Sequence, residues 1–369
     1  METQDQRIRR EFAQLVSMDS VSLNERDCAD WLRERLEELG FEVKEDDAGL
    51  SLGGNAGNLH AWLEGTIDED PILLCGHMDV VEPGRGKKAI FHEDGTIASD
   101  GTTVLGADDI AAIVEILEGV RAVLASGRPH RGIEIVFCVD EEAYDGGSQS
   151  LDFSTIKSRE AYVLDLAGAP GTAAIAAPTL ISFAVTVLGK AAHAGFEPES
   201  GINAIAATAQ AISSLKQGHV NNHTTLNIGT IEGGAQANVV PESCRCTGEI
   251  RSSAHAEALA LTDSVEQIFS KAAEDLGAQA SMTSEVRIKA YRTREDAPAV
   301  KRFRAACKKL GLAGELVETF GGSDNNSFAG HDIEGVVLSC GMMRPHSTQE
   351  YVHMEDLITG AKLVEELIG

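Results

Sequence analysis

Four short, largely apolar runs constrain this chain more than any other feature: residues 72–75, 133–139, 161–164 and 335–339. Each has the length of a strand. None alternates apolar with polar, as a strand wetted on one face does, so each reads as a strand buried on both faces. Helical spacing of apolar residues separates them. It marks residues 27–39, stopped by Gly40, and residues 107–125. This alternation predicts a three-layer α/β/α arrangement with helices on both sides of a mostly parallel sheet.

The pattern changes near Thr179. Strand-like residues 180–188 are followed by a helical stretch at 203–215, strand-like stretches at 225–231 and 238–250, a long amphipathic helix at 256–276 and a strand at 280–288. The order β-α-β-β-α-β is that of a ferredoxin-like unit. We therefore expect residues 178–289 to be an inserted α+β domain. The first domain would comprise residues 1–177 and 290–369, closed by helical patterns at 297–310 and 357–368. A length of 369 residues, 43% of them apolar, suits two cores better than one.

The formal net charge of −27 opposes nucleic acid or an anionic membrane as a partner. No apolar run approaches the length of a membrane span, and the polar N-terminus resembles no signal peptide. Seven cysteines, an odd number with several inside apolar runs, fit free thiols and a cytoplasmic setting. Cys244 and Cys246 form a lone C-x-C with no second pair to complete a thiolate metal site.

Clusters of His, Asp and Glu follow the apolar runs, and open α/β sheets bind ligands beyond the carboxyl ends of their strands. His77 and Asp79 lie two apart after the first run, spaced for a metal-binding imidazole oriented by a carboxylate. Asp108 and Asp109 open the long helix, where they read as caps or as a carboxylate shared by two metal ions. Glu141 and Glu142 follow the 133–139 run, where one carboxylate can hold metal and its neighbour can act as general base. Asp165 and His346, with Glu350 four residues on, are further candidates; His353 and His92 compete with the histidines. No G-x-G-x-x-G follows an early strand, which argues against a dinucleotide site.

Taken together, the set resembles the co-catalytic zinc metallopeptidases that include aminoacylase, carboxypeptidase G and peptidase T. The likeness is carried by GHMDVVEPG from Gly76, GTTVLGADDIAAI from Gly101, CVDEEAYDGG from Cys138, AYVLDLAGAPG from Ala161 and PHSTQEYV from Pro345. GKAAHAGFEPESGINAI from Gly189 and ANVVPESCRCTGEIR from Ala237 extend it through the insertion. The strings LGADD and GINAI resemble the peptidase T branch.

The resemblance implies a fold like that of the zinc exopeptidases, with the insertion as a lid and dimerisation domain. It implies two divalent metal ions, zinc by expectation and manganese or cobalt as substitutes. His77 and Asp165 would hold one, Glu142 and His346 the other, and Asp108 would bridge them. Glu141 would be the general base and later the acid, with Asp79 orienting His77. His193 would act from the inserted domain of a partner in a homodimer. Asn238 and Arg251, and Asp324 and Asn326 of a GGSDAN-like loop, would contact substrate.

One departure stands out: Ile110 replaces the lysine common two residues after the bridging aspartate. The implied activity is a tripeptidase-type aminopeptidase. An N-acyl amino acid amidohydrolase or carboxypeptidase, and an inactive binding protein, are the alternatives.

Overall fold

The computed structural model describes residues 2–144 and 146–369. Asp145 of the third motif lies outside them. The chain divides into two compact units, one comprising Met1–Ala176 with Arg292–Gly369, the other Ala177–Tyr291.

The first unit is built on a mixed sheet. At its centre Ile133–Cys138, Ile72–His77, Glu160–Leu166 and Glu334–Ser339 run parallel in that spatial order. Ile72–His77 and Ile133–Cys138 are buried at every position, so both faces of the sheet are covered. Each Ile or Leu fully buried there contributes about 1.5–3 kcal/mol.

The edges depart from the expected parallel order. Leu59–Leu63 pairs antiparallel with both Glu42–Glu45 and Ile133–Cys138, and Thr172–Ala177 pairs antiparallel with Glu334–Ser339. A separate small sheet joins Ile90–Phe91, Thr96–Ala98 and Tyr351–His353.

Helices Ala107–Ser126 and Met354–Ile368 pack closely against each other. A Cβ on Gly360 would stand 2.0 Å from the carboxyl carbon of Glu115, so a larger residue there must displace that buried carboxyl. Glu115 is wholly buried, and neither carboxyl oxygen has a hydrogen-bond partner among the described residues. Burial, with Asp109 and Asp356 nearby, pushes its carboxyl well above the usual range.

The second unit has the strand order Gly218–His219, Thr224–Gly233, Ser243–Ser252, Thr179–Leu188, Gln279–Ile288, antiparallel throughout. Helices Ala204–Ser214 and His255–Asp275 pack their apolar residues into its core. This is the ferredoxin-like order, with the small Gly218–His219 strand added at one edge. The third main strand starts at Ser243 rather than at Asn238, as expected from sequence. Pro241 has no N–H to give a ladder, which accounts for the late start.

Gly360→Ala should destabilise the protein by about 1–3 kcal/mol through overpacking. Glu115→Ala in the same chain should recover part of the loss, because it removes the obstructing carboxyl. Denaturant unfolding of the two single variants and the double variant checks this; strictly additive effects would mean that the two positions do not meet.

Candidate active site

The acidic and histidine clusters meet at the carboxyl end of the parallel strands, within the first unit. Ile72–His77 ends on His77, whose Nδ1 lies 2.9 Å from the main-chain oxygen of Asp79. A carbonyl only accepts, so Nδ1 carries the hydrogen and Nε2 is turned into the site. There Nε2 stands 3.2 Å from Asp108 Oδ1, 3.9 Å from Glu141 Oε2 and 4.0 Å from Asp165 Oδ1. On the other side His346 Nε2 lies 3.2 Å from Asp108 Oδ2 and 3.0 Å from Glu142 Oε2. Asp108 thus gives one carboxylate oxygen to each group. His77, Asp108, Asp109 and Asp165 offer ligand atoms within 4.8 Å of one another, and so do Asp108, Glu142 and His346.

This donor set fits a pair of divalent cations. Carboxylate oxygens face the inward imidazole nitrogens, an arrangement that is repulsive unless a proton or a metal ion lies between them. Glu142 Oε1 is buried without a hydrogen-bond partner among the described residues. Burial opposes a charge on His77, yet Asp108 and Asp79 hold its pKa well above the usual imidazole range. Hydrogen bonds to Asp108 and Glu142 raise that of His346 to about 10. Burial raises Asp165 strongly, with Asp108 adding to the effect. Burial also raises Glu142. Asp108 goes the other way: against burial, His346 and His77 hold its carboxyl below the usual range.

The turns that carry these groups are fixed from behind by buried carboxylates. Asp79 Oδ1 accepts from the main-chain N–H of Glu141 at 3.0 Å, and Oδ2 from that of Glu142 at 3.2 Å and from Ser22 Oγ at 2.7 Å. Its carboxylate is 3.4 Å from His77 Nδ1, farther than its own carbonyl. Asp79 therefore aims His77 through its main chain and both glutamates through its side chain.

Glu25 Oε1 accepts from the N–H of Asp140 at 3.2 Å and of Leu23 at 2.7 Å. Asp140 has φ 53 and His346 has φ 58, left-handed values that non-glycine residues hold only where the surroundings impose them. Asp109 Oδ2 accepts from the N–H of His77 at 3.0 Å. Gly76 makes that approach possible, since a Cβ there would lie 2.7 Å from the same oxygen. Asp108 and Asp109 are not helical, so the helix proper begins after them, and the capping reading gives way to a kinked entry.

The remaining sequence candidates lie elsewhere. His353 belongs to the small sheet, 3.4 Å from Thr96 Oγ1, and His92 is exposed before the Thr96–Ala98 strand. Ile110 is buried in the core. Asp324 is 1% exposed and groups with the buried thiols of Cys75 and Cys138, with Oδ2 3.6 Å from Cys75 Sγ. Asn326 Oδ1 accepts from the N–H of Ser323 at 3.1 Å. Asp324 therefore faces buried protein groups here.

His193, Asn238 and Arg251 belong to the second unit. His193 Nδ1 accepts from the N–H of Gly195 and of Phe196, leaving Nε2 to carry the hydrogen. The Ala194 N–H donates to the Asn238 main-chain oxygen at 3.0 Å, so the two loops pair. Arg251 Nε lies 2.9 Å from Glu249. Sequence reasoning missed Glu25 and Ser22, because an acid ahead of a helix gives no sign of reaching a turn more than a hundred residues on.

An α/β sheet whose strand ends gather two histidines and several carboxylates around one shared aspartate defines a metal-dependent hydrolase. Comparison with known proteins agrees. Residues 175–276 match the family model of the M20 peptidase dimerisation domain, and residues 58–211 match that of peptidase family M28. The crystal structure of aminopeptidase PepT from Bacillus cereus is 36% identical, covers 99% of this chain and 98% of its own, and superposes with a TM-score of 0.92. A tripeptidase from Staphylococcus aureus is 33% identical, with coverage of 99% and 97% and a TM-score of 0.96. A dinuclear metal-binding M20 peptidase from Bacillus subtilis, 17% identical with coverage of 99% and 97% and a TM-score of 0.75, shares the fold. The chain belongs to the peptidase T-like branch of the M20 metallopeptidases.

Cations must displace the protons held on His77 and His346. Apparent Mn²⁺ affinity should therefore keep rising with pH beyond the usual imidazole range, up to about pH 10, with protons released on binding. Calorimetry in buffers of different ionisation enthalpy reads both; affinity independent of pH would contradict this account of the site.

Proposed function

We propose that this chain is a two-metal aminopeptidase that cleaves small peptides, tripeptides foremost. The observation that carries the reading is the division of Asp108 between two histidine-containing groups, supported by the names of the two relatives above 30% identity. His77 and Asp165 would hold one cation, Glu142 and His346 the other, with Asp108 bridging. This mixture of imidazole and carboxylate donors suits zinc, with manganese or cobalt as substitutes. Such a pair of cations supplies Lewis acidity, polarising a carbonyl and making water acidic.

The rest of the chemistry belongs to side chains. Glu141 stands at the edge of the cluster with its main chain tied to Asp79. It takes the proton of the attacking water and returns it to the departing amine. Asp79 keeps His77 Nδ1 protonated and Nε2 facing inward. His193, with its hydrogen on Nε2, is a donor suited to a developing oxyanion. We assign it to the site of a partner subunit, and Asn238 and Arg251 to substrate contacts, Arg251 by pairing with a carboxylate.

The inserted unit is proposed as the lid and the dimer contact. It exposes Phe196 at 83%, together with Leu188, Ile231 and Val286. A cytoplasmic location fits the seven cysteines, all of them free. No helix among the described residues is long and apolar enough to cross a membrane.

Hydrolysis of a panel of tripeptides, N-acyl amino acids and carboxyl-terminal substrates tests the proposal. Tripeptides with a free amino end should be preferred, and chelation should abolish turnover. Glu141→Ala should lower kcat by about 10²–10⁴ while metal content is kept. Turnover confined to N-acyl amino acids would replace the aminopeptidase reading. Full activity in Glu141→Ala would remove that residue from the chemistry.

A further inference from the structure

Glu350 is the other buried carboxylate of the first unit that holds the turns of the site. Its side chain is 1% exposed, and both oxygens are used on main-chain groups of one segment. Oε2 accepts from the N–H of Gly106 at 2.7 Å and Oε1 from that of Asp108 at 2.9 Å. The entry to the helix is kinked at Asp108 and Asp109, and no side chain caps it locally. Glu350 therefore does from 242 residues away what an N-terminal cap does from next door.

The turn that carries Glu350 also carries His346. Main-chain hydrogen bonds of 2.9 and 3.0 Å between Met343 and Tyr351 close it, and the Glu350 N–H donates to the Ser347 main-chain oxygen at 3.1 Å. One side chain thus ties the backbone of the shared aspartate to the loop of a histidine that faces it. Two hydrogen bonds from main-chain N–H groups to one buried carboxyl, shielded from water, make a stiff connection.

We infer that Glu350 is a positioning residue that fixes the placement of Asp108 relative to His346, and so sets how tightly the cation on the His346 side is held. The inference rests on the two-metal reading above. A carboxylate is needed because both oxygens must accept. Glutamine keeps the size, but its amide would point an N–H at one of the two donors.

Glu350→Gln in the full-length protein, with Mn²⁺ binding followed by calorimetry and metal content by elemental analysis, tests this. We expect the Mn²⁺ site on the His346 side to weaken by about 10–100-fold and the other, which shares Asp108, to weaken less. The drop in kcat at fixed Mn²⁺ should be reversed by excess metal, with peptide KM within about threefold. Ser347→Ala removes two hydroxyl hydrogen bonds of the same turn, to the Arg344 main-chain oxygen at 2.9 Å and from the Gln349 N–H at 3.3 Å, without touching Asp108, and should weaken the same site less than Glu350→Gln does. Glu350→Asp, one methylene shorter, should retain one of the two hydrogen bonds and fall between wild type and Glu350→Gln; it gives the same reading if Glu350→Gln does not fold. Two sites of wild-type affinity in the Glu350 variants, or equal losses in Ser347→Ala, would overturn the inference and leave the metallopeptidase reading standing. Wild type that binds fewer than two Mn²⁺ would overturn both.

Discussion

The site depends on one recurring interaction, a buried carboxylate accepting main-chain N–H groups of the turns that bear the reactive side chains. Asp109 holds His77, Asp79 holds Glu141 and Glu142, Glu25 holds Asp140, and Glu350 holds Gly106 and Asp108. Strand ends and loops leave main-chain donors without ladder partners, and a buried N–H left unpaired costs about 1–3 kcal/mol. Carboxylates from distant parts of the chain meet that need. In doing so they fix turns, at Asp140 and His346, that the backbone alone disfavours.

The arrangement concentrates negative charge where water is scarce. Asp79, Asp108, Asp109, Glu25, Glu141 and Glu350 are all buried. Burying unpaired charges is expensive, so the molecule compensates by hydrogen bonding, by keeping protons, or by taking up cations. The raised pKa of His346 and the opposite shifts of Asp108 and Asp165 record the same tension. Cations that bind only the folded chain also stabilise it, so metal and fold are thermodynamically linked. The parallel strands make this affordable, since a core buried on both faces supplies the apolar burial that a polar rim consumes.

Much of this was legible in the sequence, for identifiable reasons. The central strands are largely apolar runs, and the clusters of His, Asp and Glu sit at their ends, where the fold class places function. The antiparallel strand Leu59–Leu63 was harder to see, because LHAWL mixes His60 and Trp62 into a short run. Thr172–Ala177 is largely alanine, a residue with little strand preference. The small sheet has strands of two and three residues, below what periodicity can detect. His346 could be assigned over His353 only through its motif, since a left-handed turn decides which ring reaches Asp108. Glu25 left no trace, because its partner Asp140 is 115 residues away.

The central claim is that Asp108 is shared by two metal ions. It is tested most directly by a crystal structure of protein loaded with zinc, with anomalous scattering recorded on both sides of the zinc absorption edge. The account predicts two peaks about 3.5–4 Å apart, one beside His77 and Asp165, the other beside Glu142 and His346, each bonded to a different oxygen of Asp108. A single peak, or two peaks that do not share Asp108, would contradict it.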